Sequence, residues 1–562
     1  MRIVFLLLVF ATLSFACEGE ISQYVPAVIG TDGGLINVSV ELIPGNGNVY
    51  STVYPTTGLM TQQSIIEAVS YAYLLSGKQT RCSILFTFGH DYPTSYIEGP
   101  SGGAAFTVMA YALLENKTMR NDTIITGSID GGGNVGAVGG VYEKVKGAAA
   151  KGATYFIAPQ GNLYETLLLK NLEDKITVLE VDRIEDVIGF MMDNETIVQE
   201  PFSAKKREIP ELPAYDTSKL EAFIPIAEKM VYFEEEVLVS ISVEDNETTA
   251  IKEFFENEIQ RQESLMDDGY VFSAANEAFL NYMDISTVAA IIKGKADLSR
   301  KKGEIGICLT GITRPNVTNE NFEWVVGSDL RQAWAYDRWN KTNTLDDLLT
   351  DEEFVVYHEL LYAKAWCNVA KELTAAAPEG GNAINESSWE GLAEDKIAEA
   401  SEVGITALDT QNRLAIAEKS YEQGNYGAAI FDAVYVIAME EADAEILSGE
   451  MDDIEPLLEE EYDSLWGEIY HSHAVFLYEM NEYDAAYRTI KFAKGLEQAT
   501  EEMKAELVVE KTEEESVDVV FLAGVVVLLF LFIIIVLIMR TYGNQRKGYR
   551  KPNRAKQKKG RV

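Results

Sequence analysis

The sequence predicts an α+β domain of about 170 residues, a mostly α-helical region behind it, and one C-terminal transmembrane helix. Three observations predict this fold class. Strand and helix signals alternate from Tyr24 to Met192. Apolar residues recur at helical spacing from Leu220 to Glu515. From Val519 to Met539, 21 residues carry no charge; at about 1.5 Å per residue such a run spans roughly 30 Å of hydrocarbon. A chain of 562 residues also exceeds what one core organises.

The chain opens with Arg2, an apolar run from Ile3 to Phe15, and small residues at Ser14 and Ala16. This pattern predicts a signal peptide over residues 1–16. Cys17 behind Ala16 also permits lipidation, a pattern that Phe15 fits poorly. The α+β domain is placed at 24–195. Leu35–Leu42 alternates like a strand, Pro44–Gly47 is a turn, and Asn48–Val53 reads as the return strand. Ser64–Leu75 predicts a helix, Ser83–Phe88 a strand, and Ala104–Leu114 a helix rich in small residues. Thr123–Thr126 is strand-like, Val141–Lys151 helical, Thr154–Ala158 a strand, Leu163–Asn171 helical, and Val178–Val181 the last strand.

A linker over 196–217 holds three prolines and the cluster Lys205-Lys206-Arg207, read as solvated, with a processing site as the alternative. The helical domain is placed at 218–515, with apolar stripes over Glu256–Met266 and Phe354–Leu373. Two stretches in it are alike. Tyr421 to Ala429 (YEQGNYGAA) matches Tyr478 to Ala486 (YEMNEYDAA), each a helix end, a short turn and a Tyr plus Ala-Ala opening the next helix. They resemble tetratricopeptide hairpins, although their 57-residue offset is not the 34 residues of a regular array. The transmembrane helix is placed at 519–539 and a basic tail at 540–562.

The net charge is −42, and the tail holds ten Lys/Arg and no acid, so the remainder carries −52 (−42 less 10). Such acidity excludes nucleic acid as a partner of the body. The positive-inside rule puts the tail in the cytoplasm and the body outside, as a single-pass cell-membrane protein. Asn-X-Ser/Thr sequons at Asn37, Asn116, Asn121, Asn194, Asn246, Asn316, Asn340 and Asn385 make glycosylation of the body an expectation. The cysteines are Cys17, Cys82, Cys308 and Cys367; they allow a disulfide and imply no framework.

Ser101 sits in Gly99-Pro100-Ser101-Gly102-Gly103, just before a predicted helix. A serine hydroxyl needs a base beside it. The four histidines are His90, His358, His471 and His473; three lie in the helical region and His90 has no partner motif. Lys144 follows Val138-Gly139-Gly140-Val141 among small and apolar neighbours, where burial lowers a lysine pKa toward 7–8. The Thr126 hydroxyl is placed to hold the neutral amine. The helix start at Ser101 favours an oxyanion.

Gly-Pro-Ser-X-Gly, Thr-Gly 25 residues after the serine, and Gly-Gly-X-X-X-Lys ending 43 residues after it resemble the proteolytic domain of the Lon protease family. The resemblance extends to Gly33-Gly34-Leu35-Ile36-Asn37-Val38, to Pro44-Gly45-Asn46-Gly47 and to Ala158-Pro159-Gln160-Gly161-Asn162. It implies a Ser101–Lys144 dyad supported by Thr126, with Glu98 where the family often has an acid. Two positions depart from the family: Gly102 stands for the usual alanine and Ser128 for an acid. The ATPase module of the family is missing from the sequence. Ser76-Gly77-Lys78-Gln79 lacks both the first glycine and the hydroxyl of a phosphate-binding loop. No metal or other cofactor is implied. The expectation is a membrane-anchored, extracytoplasmic, ATP-independent serine endopeptidase acting on flexible or unfolded polypeptides. Its helical region would present substrate, bind a protein partner or form a homo-oligomer. The alternative is a surface scaffold with a non-catalytic domain.

Overall fold

A computed structural model describes residues 17–507 except 30–31, 53, 79–81, 90–95, 162, 200–206, 343–351, 406, 450 and 452. Two compact units are present, Met1–Thr500 and Glu501–Val562; of the second, residues 501–507 are described, and they are helical.

The first unit begins with a four-stranded sheet. Strands β1 (Glu20–Ile29) and β2 (Asp32–Pro44) form an antiparallel hairpin running from Glu20 opposite Glu41 to Ile29 opposite Asp32. β3 (Val49–Ser51) comes next, then the short β4 (Thr56–Thr57), helix α1 (Leu59–Ser76) and β5 (Cys82–Phe88). The sheet order is β1-β2-β5-β3, with β3 parallel to β5. The expected return of residues 48–53 onto β2 therefore does not occur. β5 is fully buried at Phe86 and takes the place beside β2, and β3 is left to the edge.

β6 (Tyr96–Ile97) pairs with β4 and leads into α2 (Gly103–Glu115). Every residue of α2 from Gly103 to Leu114 except Tyr111 is buried. Small side chains let it run through the centre of the domain, between α1 and the sheet. β7 (Thr123–Ile125) and the ribbon β8 (Ser128–Ile129) with β9 (Val135–Gly136) come next. α3 (Val141–Ala150), β10 (Tyr155–Ala158), α4 (Leu163–Leu169), β11 (Thr177–Glu180) and α5 (Ile184–Ile188) complete the domain. β7, β10 and β11 make a parallel sheet in the order β11-β10-β7. α3 is wedged against β2, where a Cβ on Gly33 would lie 1.7 Å from the Glu143 carbonyl oxygen. That close approach requires the glycine.

The helical region comprises α6 (Ile224–Val239), α7 (Asn246–Asp267), α8 (Val271–Ile292), α9 (Leu298–Gly311), α10 (Phe322–Thr342) and α11 (Glu352–Ala376). It continues with α12 (Glu390–Glu402), α13 (Leu408–Glu422), α14 (Tyr426–Ser448), α15 (Ile454–Leu458), α16 (Leu465–Glu479) and helical residues 483–500. The two alike stretches are helical hairpins with the same turn. Asn425 N donates to the Ser420 carbonyl and Glu482 N to that of Leu477, both at 2.9 Å. The ring pairs Tyr421–Tyr426 and Tyr478–Tyr483 are T-shaped at 5.5 and 5.3 Å. The region packs on the α+β domain: Ile291 of α8 and Phe354 and Val355 of α11 cover the core that holds Val141, Tyr142 and Val145 of α3.

All four cysteines are paired, Cys17 with Cys82 and Cys308 with Cys367. Arg207 of the expected solvated cluster is bonded to Glu258, which is 2% exposed. Seven sequon asparagines are exposed, and Asn37, inside β2, is half-buried.

The fold class needs one correction. Among the described residues no helix is long and apolar enough to cross a membrane. The longest, α11, carries six charged side chains in 25 residues, which suits a water-facing side rather than lipid. The expected span 519–539 lies outside the described residues, as do the signal peptide at 1–16 and the tail at 540–562. Among the described residues the class that stands is an α+β domain with a helical region and no membrane-crossing helix, and they give no support to the single-pass location with a cytoplasmic tail.

Candidate active site

Ser101 lies in the tight turn between β6 and α2. Several hydrogen bonds hold that turn. The Ser101 carbonyl accepts from Gly127 N at 2.9 Å and from Thr126 Oγ1 at 3.1 Å. Ala104 N donates back to the Gly127 carbonyl at 3.0 Å. On the other side, Ser64 Oγ donates to the Pro100 carbonyl and Thr61 Oγ1 to that of Gly99, both at 3.1 Å. The Thr126 hydroxyl thus serves the backbone of the serine turn. Gly103 N is taken by the Pro100 carbonyl at 3.0 Å.

Glu98 reaches the start of α1. It accepts from Met60 N at 3.1 Å and from the Tyr96 hydroxyl at 3.0 Å. This caps free amides of α1 and ties the strand before Ser101 to that helix. Burial raises the Glu98 carboxyl above the usual range. Gly102, the departure from the family pattern, has a local cause. A Cβ there would lie 2.4 Å from Cζ of Phe106, whose ring stands edge-on to Phe86 and Phe88. The phenyl ring occupies the space of an alanine methyl.

Lys144 is in the first turns of α3 and is 4% exposed. Burial pulls its ammonium down to about 8, while the charges of Glu165 and Glu143 pull it back up. Among the described residues no carboxylate lies within 4.0 Å of its Nζ. Ser101, Gly102, Glu98 and Lys144 line one cavity of about 400 Å³, whose apolar wall includes Val25, Ile36, Val38, Phe88 and Phe106. Thr126, fully buried, stands behind the serine turn.

Two residues that the sequence did not single out support Lys144. Glu165 of α4, 2% exposed, accepts from Val141 N at 2.9 Å and Tyr142 N at 3.4 Å, and so caps α3. Burial, with Glu143 nearby, raises its carboxyl to about 7. Asp284 of α8 accepts from Tyr164 N at 3.1 Å and so caps α4. Burial raises it to about 7 as well. Glu165 comes three residues after Asn162, the spacing of a capping box for its own helix, but the helix it caps is α3, so that spacing does not point to its role. Asp284, in mid-helix, gives no signal either. The histidines of the helical region serve packing. His358 bonds Thr287 Oγ1 and stacks on Tyr164 at 4.2 Å; His473 bonds Ser273 Oγ. His90 lies outside the described residues. Among the described residues no cluster of His, Cys, Asp or Glu has the makings of a metal site.

The α+β domain is similar to known proteins. Residues 27–194 match the family described as Lon protease (S16) C-terminal proteolytic domain. The chain is 28% identical over 185 residues to a Lon protease of Lawsonia intracellularis, covering 31% of this chain and 21% of that protein. It is 26% identical over 195 residues to an archaeal Lon protease of Thermoplasma acidophilum, covering 32% and 29%. Over 102 residues it is 33% identical to a peroxisomal Lon protease homolog 2 of Caenorhabditis briggsae, covering 18% and 13%. The chain therefore spans less than a third of these relatives. The likeness supports serine-peptidase chemistry for the α+β domain.

Proposed function

We propose that this protein is a serine endopeptidase in which Ser101 is the nucleophile and Lys144 the general base. The observation that carries the reading is a lysine 4% exposed, held near 8, in the same cavity as a serine at a helix start. The neutral amine takes the Ser101 proton as Oγ attacks the scissile carbonyl. The oxyanion meets the positive end of α2, and because the Gly103 and Ala104 amides are already bonded, Ser101 and Gly102 supply the donors. The C–N bond breaks as lysine returns the proton to the leaving amine. Water then hydrolyses the ester by the same route.

The apolar wall suits an apolar side chain beside the scissile bond. The substrates are flexible or unfolded polypeptides, and because these 562 residues hold no phosphate-binding loop, cleavage by them is expected to be independent of ATP. The test is hydrolysis of fluorescent casein by the purified protein. Ser101→Ala is expected to abolish it at unchanged melting temperature, with no effect of added ATP on the wild type. Hydrolysis that survives in Ser101→Ala would overturn the assignment and favour a binding role. Lys144→Arg is also expected to be inactive, because guanidinium stays protonated.

A further inference from the structure

A second cavity, of about 240 Å³, lies within the helical region between α6, α8, α10, α11, α13 and α16. Its wall includes the aromatic rings of Trp334, Trp366, Trp466, Phe272, Phe279 and Tyr470. Arg331 of α10 lines it and is 3% exposed. Its Nε has no hydrogen-bond partner, while Nη1 donates to the Gly327 carbonyl at 3.4 Å and the guanidinium also bonds the Tyr470 hydroxyl. The guanidinium lies over the Trp466 ring at 4.1 Å. Among the described residues no carboxylate is within ion-pair distance of it.

The nearby carboxylate, Asp432, is already occupied. It accepts from Trp334 Nε1 at 3.1 Å and pairs with Arg413 at 3.1 Å. His473, also on the wall, is held down to about 4 by burial and is neutral. Two guanidinium groups therefore face one carboxylate, leaving one positive charge in an aromatic enclosure. A buried cation with an unmet donor is costly to leave without a counter-ion. Burial correspondingly lowers the Arg331 pKa, against the favourable influence of the Tyr470 hydroxyl and Asp432.

We propose that this cavity binds a small organic anion, a carboxylate on an apolar body, with Arg331 as its counter-ion. The anion supplies the charge that Arg331 lacks and accepts from Nε. The body takes the aromatic wall, in a space somewhat larger than the roughly 150 Å³ that holds one benzene ring. This site is separate from Ser101 and Lys144, so its test does not depend on peptidase activity.

The probe is 4-phenylbutyrate, titrated into the full chain with tryptophan fluorescence as the readout, since three of the six tryptophans line the cavity. Saturable quenching is expected, together with a raised melting temperature. The uncharged 4-phenylbutyramide is expected to bind at least tenfold more weakly, as is acetate, which lacks the body. Arg331→Met, which removes the charge and keeps the length, is expected to weaken 4-phenylbutyrate at least tenfold. No saturable quenching in the wild type, equal binding of acid and amide, or equal binding of acetate would each overturn the proposal. The comparison of the three probes needs no variant and so stands even if Arg331→Met fails to fold.

Discussion

Asp284, in the middle of α8, accepts the backbone N–H of Tyr164 at 3.1 Å, and Glu165, the next residue, caps the helix that carries Lys144. Two carboxylates in series thus fasten the lysine helix to the helical region. Each sits where a helix start concentrates unpaired amides and positive potential. The α+β domain is in this way buttressed by the region behind it.

Asp284→Ala removes one cap and is expected to lower kcat by roughly fivefold with KM little changed, the equivalent of about 1 kcal/mol lost from a helix cap. Steady-state kinetics on a fluorogenic peptide checks it; a change in KM alone would contradict a positioning role. Asp284→Asn keeps an acceptor and loses the titration. The Asp284 pKa is raised on folding to about 7, so its contribution is full below about 4 and is lost as pH rises through about 7. Urea midpoints at pH 5, 6 and 7 should therefore fall less steeply in Asp284→Asn than in the wild type.

The lysine sets a pH dependence. With Lys144 at about 8, kcat/KM is expected to rise tenfold per pH unit below 8 and to level above it. For stability the sign is opposite to that of Asp284. The folded pKa is lowered, so the contribution is complete above the unfolded value of about 10.4 and is lost as pH falls through about 8. Lys144→Met is expected to abolish activity and to flatten the stability change between pH 8 and 10. A rate profile that is flat from pH 6 to 9 would remove Lys144 as the base.

Gly102 and Phe106 are coupled by shape. Gly102→Ala alone is expected to destabilise by about 1–3 kcal/mol through overpacking against the ring and to reduce activity. Adding Phe106→Leu vacates the space and should recover most of the loss, read as a double-mutant cycle in denaturant midpoints. Additive losses would show that the two do not compete for the same volume.

Glu98 is predicted to be a positioning residue. Glu98→Ala should cost about 1 kcal/mol, as the loss of a helix cap does, and lower kcat/KM. Glu98→Gln, which still accepts from Met60 N, should retain most of both. If Glu98→Gln is as inactive as Ser101→Ala, the carboxylate has a chemical role rather than a capping one.

The amino-acid order alone carries the alternation of strands and helices in the first third of the chain, the helical character of residues 218 onward, and the likeness of Tyr421–Ala429 to Tyr478–Ala486. These are legible because hydrophobic period, turn chemistry and motif spacing are local. Ser101 and Lys144 stand in short motifs and Glu98 enters through the resemblance those motifs carry; the structure gathers the three in one cavity. Packing in three dimensions settles the rest. β3 lies parallel to β5 because a buried strand claimed the place beside β2, a competition that no turn reveals. Cys17 finds Cys82 across 65 residues and Cys308 finds Cys367 across 59, pairings that spacing cannot fix. Glu165 and Asp284 gain their roles only when α4 and α8 bring a carboxylate to another helix's start, 24 and 120 residues away. A capping side chain is defined by the amide it meets. When that amide belongs to a distant segment, only packing of the whole chain supplies it.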